Sequence, residues 1–468
     1  MKIEQIYTGC LAQGAYYIES EGEVAIIDPL REIQPYIDKA NAENATIKYV
    51  FETHFHADFV SGHVDLANKT GATIVYGPGA ETSYDIHSAM DGEEFKLGKI
   101  KIKALHTPGH TLESTTFLLM DEDGNEHAIF SGDTLFLGDV GRPDLAIKSD
   151  LTKEDLAGML FDSLRTKIMT LADDVIVYPA HGAGSACGKN LSKETVGTIG
   201  DQKLTNYALR ADMTREEFIA EVLDGMPPPP QYFAKNALMN KTGYDAFDQV
   251  LETGNVALAP EDFEAIANHE DALVLDVRTQ DDFSAGHVPN SIFIGLNGQF
   301  APWVGALITD LKQPLLLIVP EGKSEEAVTR LSRVGYDNTL GYLEGGIAAW
   351  KAAGKEVGTL ESISAETFAH KATSETINIL DVRKDGEYQA SHLEEAQHFA
   401  LDFINENMNQ IDAKKTYHIH CAGGYRSVIA ASILKARGFD KLVDVAGGFA
   451  AIKTTDLPIT EFVCPSTL

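Results

Sequence analysis

The stretch THFHADFVSGH, residues 53–63, sets His54, His56 and Asp58 at alternate positions just after the apolar run IKYVF. Two imidazoles and a carboxylate so spaced are metal ligands by chemistry, and Phe59, the next residue, can ligate nothing. Three further residues of the same kinds lie in glycine- or proline-punctuated segments: His110 in HTPGHTLES (106–114), Asp133 in FSGDTLF (130–136) and His181 in YPAHGAGS (178–185). A lone histidine ordinarily belongs to the surface or the core. Six such residues with these neighbours point instead to a metal centre. Imidazole and carboxylate donors suit zinc and non-haem iron alike, and the spacing does not choose between them.

A second chemical signal is HIHCAGGYRSVIAASILKARGF (418–439). An apolar strand is expected to run into Cys421, a glycine-bearing loop to follow, and a helix to start near Ser427. That order makes a cradle of Ala422, Gly423, Gly424, Tyr425 and Arg426, with backbone N–H groups and a helix N-terminus aimed at the sulfur. Such a setting favours a thiolate or a persulfide anion. Arg426 adds a fixed charge near the loop mouth, and a buried structural cysteine is the bland alternative.

The elements that must position these groups are legible from the apolar pattern. EVAIIDP (23–29), IKYVFETH (47–54), HAIFSGD (127–133) and DDVIVYPAH (173–181) read as strands, each ending in a polar or chelating residue. Ligands at strand exits fall on loops along one edge of a sheet, where sites are commonly built. A helix is expected over MTREEFIAEVLDGM (213–226), closed by Pro227–Pro230 as a rigid connector or the end of the domain.

The second half repeats itself. LVLDVRTQDDFSAGHV (273–288) returns as NILDVRKDGEYQASHL (378–393), with Asp276 to Asp381 and His287 to His392 both spaced by 105. LEGGIAAW (343–350) returns as VAGGFAAI (445–452). Two α/β units with parallel sheets follow, and three domains are expected: 1–255, 256–357 and 358–468. The first copy reads LLLIVPEGKSEEAV (315–328) at the matching strand exit, and no cysteine lies between 187 and 421, so it carries no covalent sulfur. Asp276 with Arg278 and Asp381 with Arg383 read as buried structural pairs.

The bulk numbers exclude several classes. Thirty-eight basic against seventy acidic residues in 468 leave a formal charge of -32, which repels phosphate backbones and anionic lipids. No apolar stretch approaches membrane-spanning length, and MKIEQIYTGCLAQG lacks the pattern of a secretory leader. Four cysteines, Cys10, Cys187, Cys421 and Cys464, are too few for a disulfide framework and suit a reducing cytoplasm.

THFHAD, TPGH, SGD and YPAHG in this order resemble the metallo-β-lactamase fold, an αββα sandwich, over residues 1 to about 250. In the two-metal hydrolases of that superfamily a histidine directly after the aspartate helps hold the second ion, and Phe59 stands there. The persulfide dioxygenase branch works with one ferrous ion. Carried over by motif, its ligands fall on His54, His110 and Asp133, a two-histidine, one-carboxylate face with open positions for sulfur and dioxygen. His56, Asp58 and His181 would then orient ligands or bound water. GDVGRPDL (138–145) resembles the following segment of these dioxygenases, where Arg142 and Asp144 form a buttressing pair or place an anionic substrate. Cys187, six residues beyond His181, is open to a persulfide relay or to burial as an inert thiol; Cys10 and Cys464 have weaker claims.

The four-residue spacer AGGY between Cys421 and Arg426 resembles the rhodanese sulfurtransferases, whose ring fits one extra sulfur; the related phosphatase loop has five. The whole chain resembles the persulfide dioxygenase–rhodanese fusions of the CstB type: an iron domain, a silent rhodanese-like domain serving as spacer, dimer surface or substrate channel, and an active rhodanese domain. The resemblance implies one Fe(II) per chain, with zinc as the alternative. It implies as partners a low-molecular-weight thiol persulfide, dioxygen and sulfite or thiosulfate, with no nucleic acid and no membrane, in a homo-oligomer. Two other readings stand beside it: a zinc thioester hydrolase of the glyoxalase type, and a sulfane-sulfur relay or sensor without oxygenase activity.

Overall fold

Along the strand Glu23–Ile27, Ala25 and Ile27 face one side and Val24 and Ile26 the other, and all four are fully buried. A strand buried on both faces must be covered twice, and this decides the layering of the first unit. In the computed structural model, which describes residues 1–146, 151–189 and 191–463, the chain divides into two compact units. The first is Met1–Gln249 with Leu331–Gly335; the second is Val250–Arg330 with the chain from Tyr336 onward.

Unit one holds two six-stranded sheets. The first runs in chain order from Lys2–Thr8 to His87–Ser88, antiparallel for two pairings and parallel for three. The second runs from Gly197–Thr198 through Ile176–Pro179, Glu126–Gly132, Thr115–Met120 and Ile100–His106 to Glu94–Leu97. Ile18, Ile27, Phe51 and Val75 of one sheet meet Ile102, Phe117, Leu119 and Phe130 of the other in a shared core. The alternate residues face helices: Tyr17, Ile26 and Val50 cover Tyr36 and Leu66, while Leu118, Ile129 and Val177 cover Leu160 and Phe218. The result is the αββα sandwich expected.

The helix Arg215–Leu223 starts at Thr214, whose hydroxyl accepts from Glu217 N–H while its own N–H donates to the Glu217 carboxylate, a capping box worth about 1 kcal/mol. Pro227–Pro230 proves to be a connector, since the helices Phe233–Thr242 and Phe247–Gly254 follow it.

Unit two contains two five-stranded, all-parallel sheets of identical order. In the first, the sequence is Ala257–Leu258, Thr339–Leu343, Leu315–Ile318, Leu273–Asp276 and Ile292–Phe293. In the second it is Glu361–Ile363, Leu442–Val445, Tyr417–His420, Asn378–Asp381 and Gln397–His398. The repeated residues hold equivalent places. Arg278 and Arg383 each donate to the aspartate two positions back and to a backbone carbonyl, of Gly286 and Ser391 respectively. His287 and His392 each donate from Nδ1 to the carbonyl four residues earlier and stack on that residue's ring. These are fasteners of the fold, as the motifs suggested. Cys464 lies outside the described residues.

Candidate metal centre and cysteine loop

Four strand exits converge. The strand Thr46–Phe51 leads to His54, Ile100–His106 to His110, Glu126–Gly132 to Asp133, and Ile176–Pro179 to His181. Glycines immediately precede two of these groups, and both are forced. Gly109 has φ 147° and its missing Cβ would lie 2.4 Å from the Leu160 backbone; Gly132 has φ 53° and would meet the Thr53 side chain at 2.6 Å. Any larger residue would displace His110 or Asp133.

One ligand atom from each of His54, His110 and Asp133 lies within 4.8 Å of the others, and all three residues are buried. Asp133 Oδ2 stands 3.4 Å from His110 Nε2 and 3.9 Å from His54 Nε2. The opposite ring nitrogens are tied. His110 Nδ1–H donates to Arg142 O at 2.8 Å and His181 Nδ1–H to Ala12 O at 3.2 Å. Thr53 Oγ1–H is given to Asp28 at 2.9 Å, so at 3.0 Å it accepts from His54 Nδ1–H. Each Nε2 is thereby left with a lone pair facing the cluster. Burial, then the neighbouring imidazoles of His56, His110 and His181, hold His54 well below the usual histidine range, hence neutral. Both Asp133 oxygens and His181 Nε2 are buried without a hydrogen-bond partner. Orphaned acceptors turned on one point fit a cation.

The other predicted residues divide. His181 Nε2 lies 3.6 Å from Asp133 Oδ1 and 3.4 Å from Asp58 Oδ2, so these two border the same cavity. Burial raises the Asp58 acid. His56 belongs to two buried clusters: one ligand atom from each of His56, Asp58 and His181 lies within 4.8 Å of the others, and its Nε2 is also 3.0 Å from Asp28 Oδ1 and 3.7 Å from Glu52 Oε2. Burial opposes its charge, but these carboxylates override that and lift it to about 9. Phe59 is fully buried with its ring 4.4 Å from that of His56, an apolar wall. Cys187 joins Asp133 and His181 in one cluster, and burial followed by the Asp58 and Asp133 charges pushes its thiol well up. Arg142 donates to both Asp144 oxygens at 2.7 and 2.8 Å and to Pro227 O at 2.6 Å. It is a buttress, and its own carbonyl fixes His110.

Several residues that hold the site escaped the sequence reading. Asn240 donates to the carbonyls of His56 and Phe59, both at 2.8 Å, and accepts from Ser61 N at 2.9 Å, clamping the ligand loop from a helix beyond the prolines. Asp28 and Thr53 fix His54; of these only Asp28 had a signal, an acid at a strand exit like its partners.

In the second unit, Cys421 is buried between the strand Tyr417–His420 and the helix Tyr425–Ala436, which begins two residues earlier than expected. Gly424, at φ 99°, donates its N–H to Cys421 Sγ at 3.1 Å, and Ser427 Oγ is 3.6 Å from the sulfur. A Cβ on Gly448 would lie 2.4 Å from the Cys421 carbonyl, so that position requires glycine. Arg426, the fixed charge expected near the loop mouth, donates to both Glu387 oxygens at 2.6 and 2.8 Å.

Beside this loop Asp444 is almost fully buried and accepts from Ser362 Oγ at 2.9 Å. Burial pushes its acid from 3.8 to about 6, although hydrogen bonds with Ser427 and Ser362 pull it down. A raised acid stabilises the fold below its unfolded value, and that contribution is lost as pH climbs through the folded one. Between about pH 4 and about pH 6 the wild type is therefore expected to lose on the order of 2–3 kcal/mol relative to Asp444→Asn. Chemical unfolding of both proteins at the two pH values checks it.

Comparison with known proteins adds to this geometry. The chain matches the family model of the metallo-β-lactamase superfamily over residues 8–181 and that of the rhodanese-like domain over 259–353 and 364–455. A probable hydroxyacylglutathione hydrolase of Schizosaccharomyces pombe is 30% identical over 35% of this chain, which spans 60% of that relative's length. Human persulfide dioxygenase ETHE1 is 29% identical over 45% of this chain and 74% of its own. Among solved structures, a metallo-β-lactamase from Staphylococcus aureus is 32% identical, with 73% of this chain and 98% of that one covered and a TM-score of 0.64. Among the described residues no helix is long and apolar enough to cross a membrane.

Proposed function

The chain belongs to the metallo-β-lactamase superfamily and carries two rhodanese-like domains behind that fold, and on this premise we propose that it is a non-haem iron persulfide dioxygenase coupled to a sulfurtransferase. One observation supports the reading: His54, His110 and Asp133 converge, and Phe59, which the resemblance aligns with a second-ion ligand of the two-metal hydrolases, packs its ring against His56. The reaction consumes a thiol persulfide, dioxygen and water and yields the thiol and sulfite. Its setting is sulfide detoxification, in a cytoplasm whose reducing state suits the sparse thiols and in an assembly of several copies.

A ferrous ion held by His54, His110 and Asp133 would supply open positions for a sulfur anion and dioxygen, and the electron transfer between them. The chain's own residues do the rest. Thr53 and the Arg142 carbonyl keep the ligand imidazoles in the tautomer that presents Nε2. Phe59 excludes water on the side of His56. Asp58 and His181 border the substrate position, and Cys187 lies in one cluster with Asp133 and His181.

At Cys421 the thiolate attacks the outer sulfur of a persulfide. The S–S bond breaks, the carrier thiolate leaves, and Gly424 N–H with the surrounding loop holds the resulting cysteine persulfide. Sulfite then takes that outer sulfur, giving thiosulfate and restoring the thiol. Arg426, neutralised by Glu387, braces the loop.

The relation to the S. pombe hydrolase favours a second reading, a zinc thioester hydrolase with two ions in the cavity. Anaerobic loading with iron, metal analysis and an oxygen electrode separate the two. We expect one iron per chain and oxygen uptake on adding glutathione persulfide, in proportion to the iron bound. Full iron loading without uptake would sink the oxygenase, and two zinc ions with hydrolysis of a glutathione thioester would establish the hydrolase.

A further inference from the structure

We propose that the cysteine-free rhodanese-like domain positions the Cys421 loop, through Tyr425 seated over Gly298. The inference deepens the reading of Cys421 as a sulfur carrier and rests on it for its biological meaning, though not for its geometry.

Tyr425 follows the residue whose N–H reaches Cys421 Sγ and is the first residue of the helix Tyr425–Ala436. Its side chain leaves the active domain. The phenol donates to Gly295 O at 2.7 Å, and its ring meets Phe293 edge-on with centroids 5.7 Å apart. The fit is closest at Gly298, where a Cβ would lie 2.3 Å from Tyr425 Cζ, 2.5 Å from Cε1 and 2.6 Å from the phenol oxygen. Contacts this short do not occur, so any side chain at 298 must move the ring. The receiving turn, 295–298, is itself held: Gly298 N–H donates to Gly295 O, and Arg330 donates to Leu296 O at 2.8 Å.

A second grip lies two helical turns along. Phe293 N–H donates to Ser432 Oγ at 2.9 Å in a buried bond, and residues seven apart share one face of a helix. The face of the helix bearing Tyr425 and Ser432 is thereby fixed by a domain that has no sulfur chemistry of its own. The N–H aimed at the sulfur belongs to the Gly423–Gly424 peptide, and Gly424, at φ 99°, is the one residue that joins this peptide to the anchored start of the helix, so the position of Tyr425 bears on the direction of that N–H.

The test is the pH profile of Cys421 alkylation by iodoacetamide in the full-length protein, read by peptide mass spectrometry so that Cys10 and Cys187 are scored apart. Gly298→Ala is expected to slow Cys421 about threefold at neutral pH and to displace the profile upward. In a Tyr425→Ala background the same change is expected to do nothing further. An unaltered profile, or an effect of equal size with and without the ring, overturns the proposal. Should Gly298→Ala fail to fold, Tyr425→Phe keeps the ring and removes only the bond to Gly295. A smaller displacement in the same direction supports the proposal and none overturns it. Failure of the carrier reading shows separately, as wild-type protein whose Cys421 alkylates normally yet takes no sulfur from thiosulfate.

Discussion

Changing Cys421 to serine is expected to abolish sulfur transfer, with a fall of at least about a thousandfold in thiosulfate sulfurtransferase activity, while iron content and oxygen uptake stay at wild-type values. The magnitude follows from the nucleophile. An alcohol at neutral pH has almost no anion to offer, whereas the thiol sits under the Gly424 N–H and beside Ser427 Oγ in a loop shaped for a sulfur anion. The selectivity follows from chain position, since Cys421 and the proposed iron ligands lie in different units. Serine is smaller than cysteine by a fraction of a methylene and keeps a polar atom on the same partners, so the loop itself should survive. Rhodanese assays with cyanide as acceptor, beside iron analysis and oxygen uptake on the same preparation, check both halves. Loss of iron in this variant would sink the separation of roles.

The converse substitution acts in the first unit. Asp133→Asn or His110→Ala is expected to cost at least about a hundredfold in iron affinity and to remove oxygen uptake, leaving Cys421 transfer intact. Asparagine retains the shape of Asp133 but loses the charge on which two Nε2 atoms converge, and its amide would bring a donor into a place made for acceptors. His110 to alanine removes a donor atom and frees the Arg142 carbonyl as well. Iron titration with a colorimetric chelator gives the affinity, and a hyperbolic curve unchanged from wild type in either variant would move the ligand assignment elsewhere.

The residues that converge in the first unit stood out in the sequence because imidazoles and carboxylates on loops are what a metal site needs, and loops after strands are marked by glycine and proline. Gly109 and Gly132 are such marks, and the structure shows why no other residue serves. The duplicated parallel sheets were legible for another reason. A repeat preserves the spacing of Asp–Arg pairs and stacked histidines that hold the fold, and these appear twice in register. What stayed hidden were the partners chosen by packing at long range. Asn240 reaches the His56 carbonyl across 184 positions, and Glu387 reaches Arg426 across 39, and neither distance has a period or a motif. Tyr425 was read as part of an anion cradle from its place in the loop. Its phenol faces the other way, toward Gly295, and only the fold could reveal that.

The convergence of four strand exits from two sheets has a consequence for how the protein comes into being. Residues 54, 110 and 133 are brought together only when both sheets have closed on their common core. A cation therefore cannot serve as the seed around which the chain collapses, as it does in small zinc modules. The four layers bury ample apolar surface without it. On the proposed reading the ion comes last, to a scaffold already finished, so metal-free protein is expected to be folded.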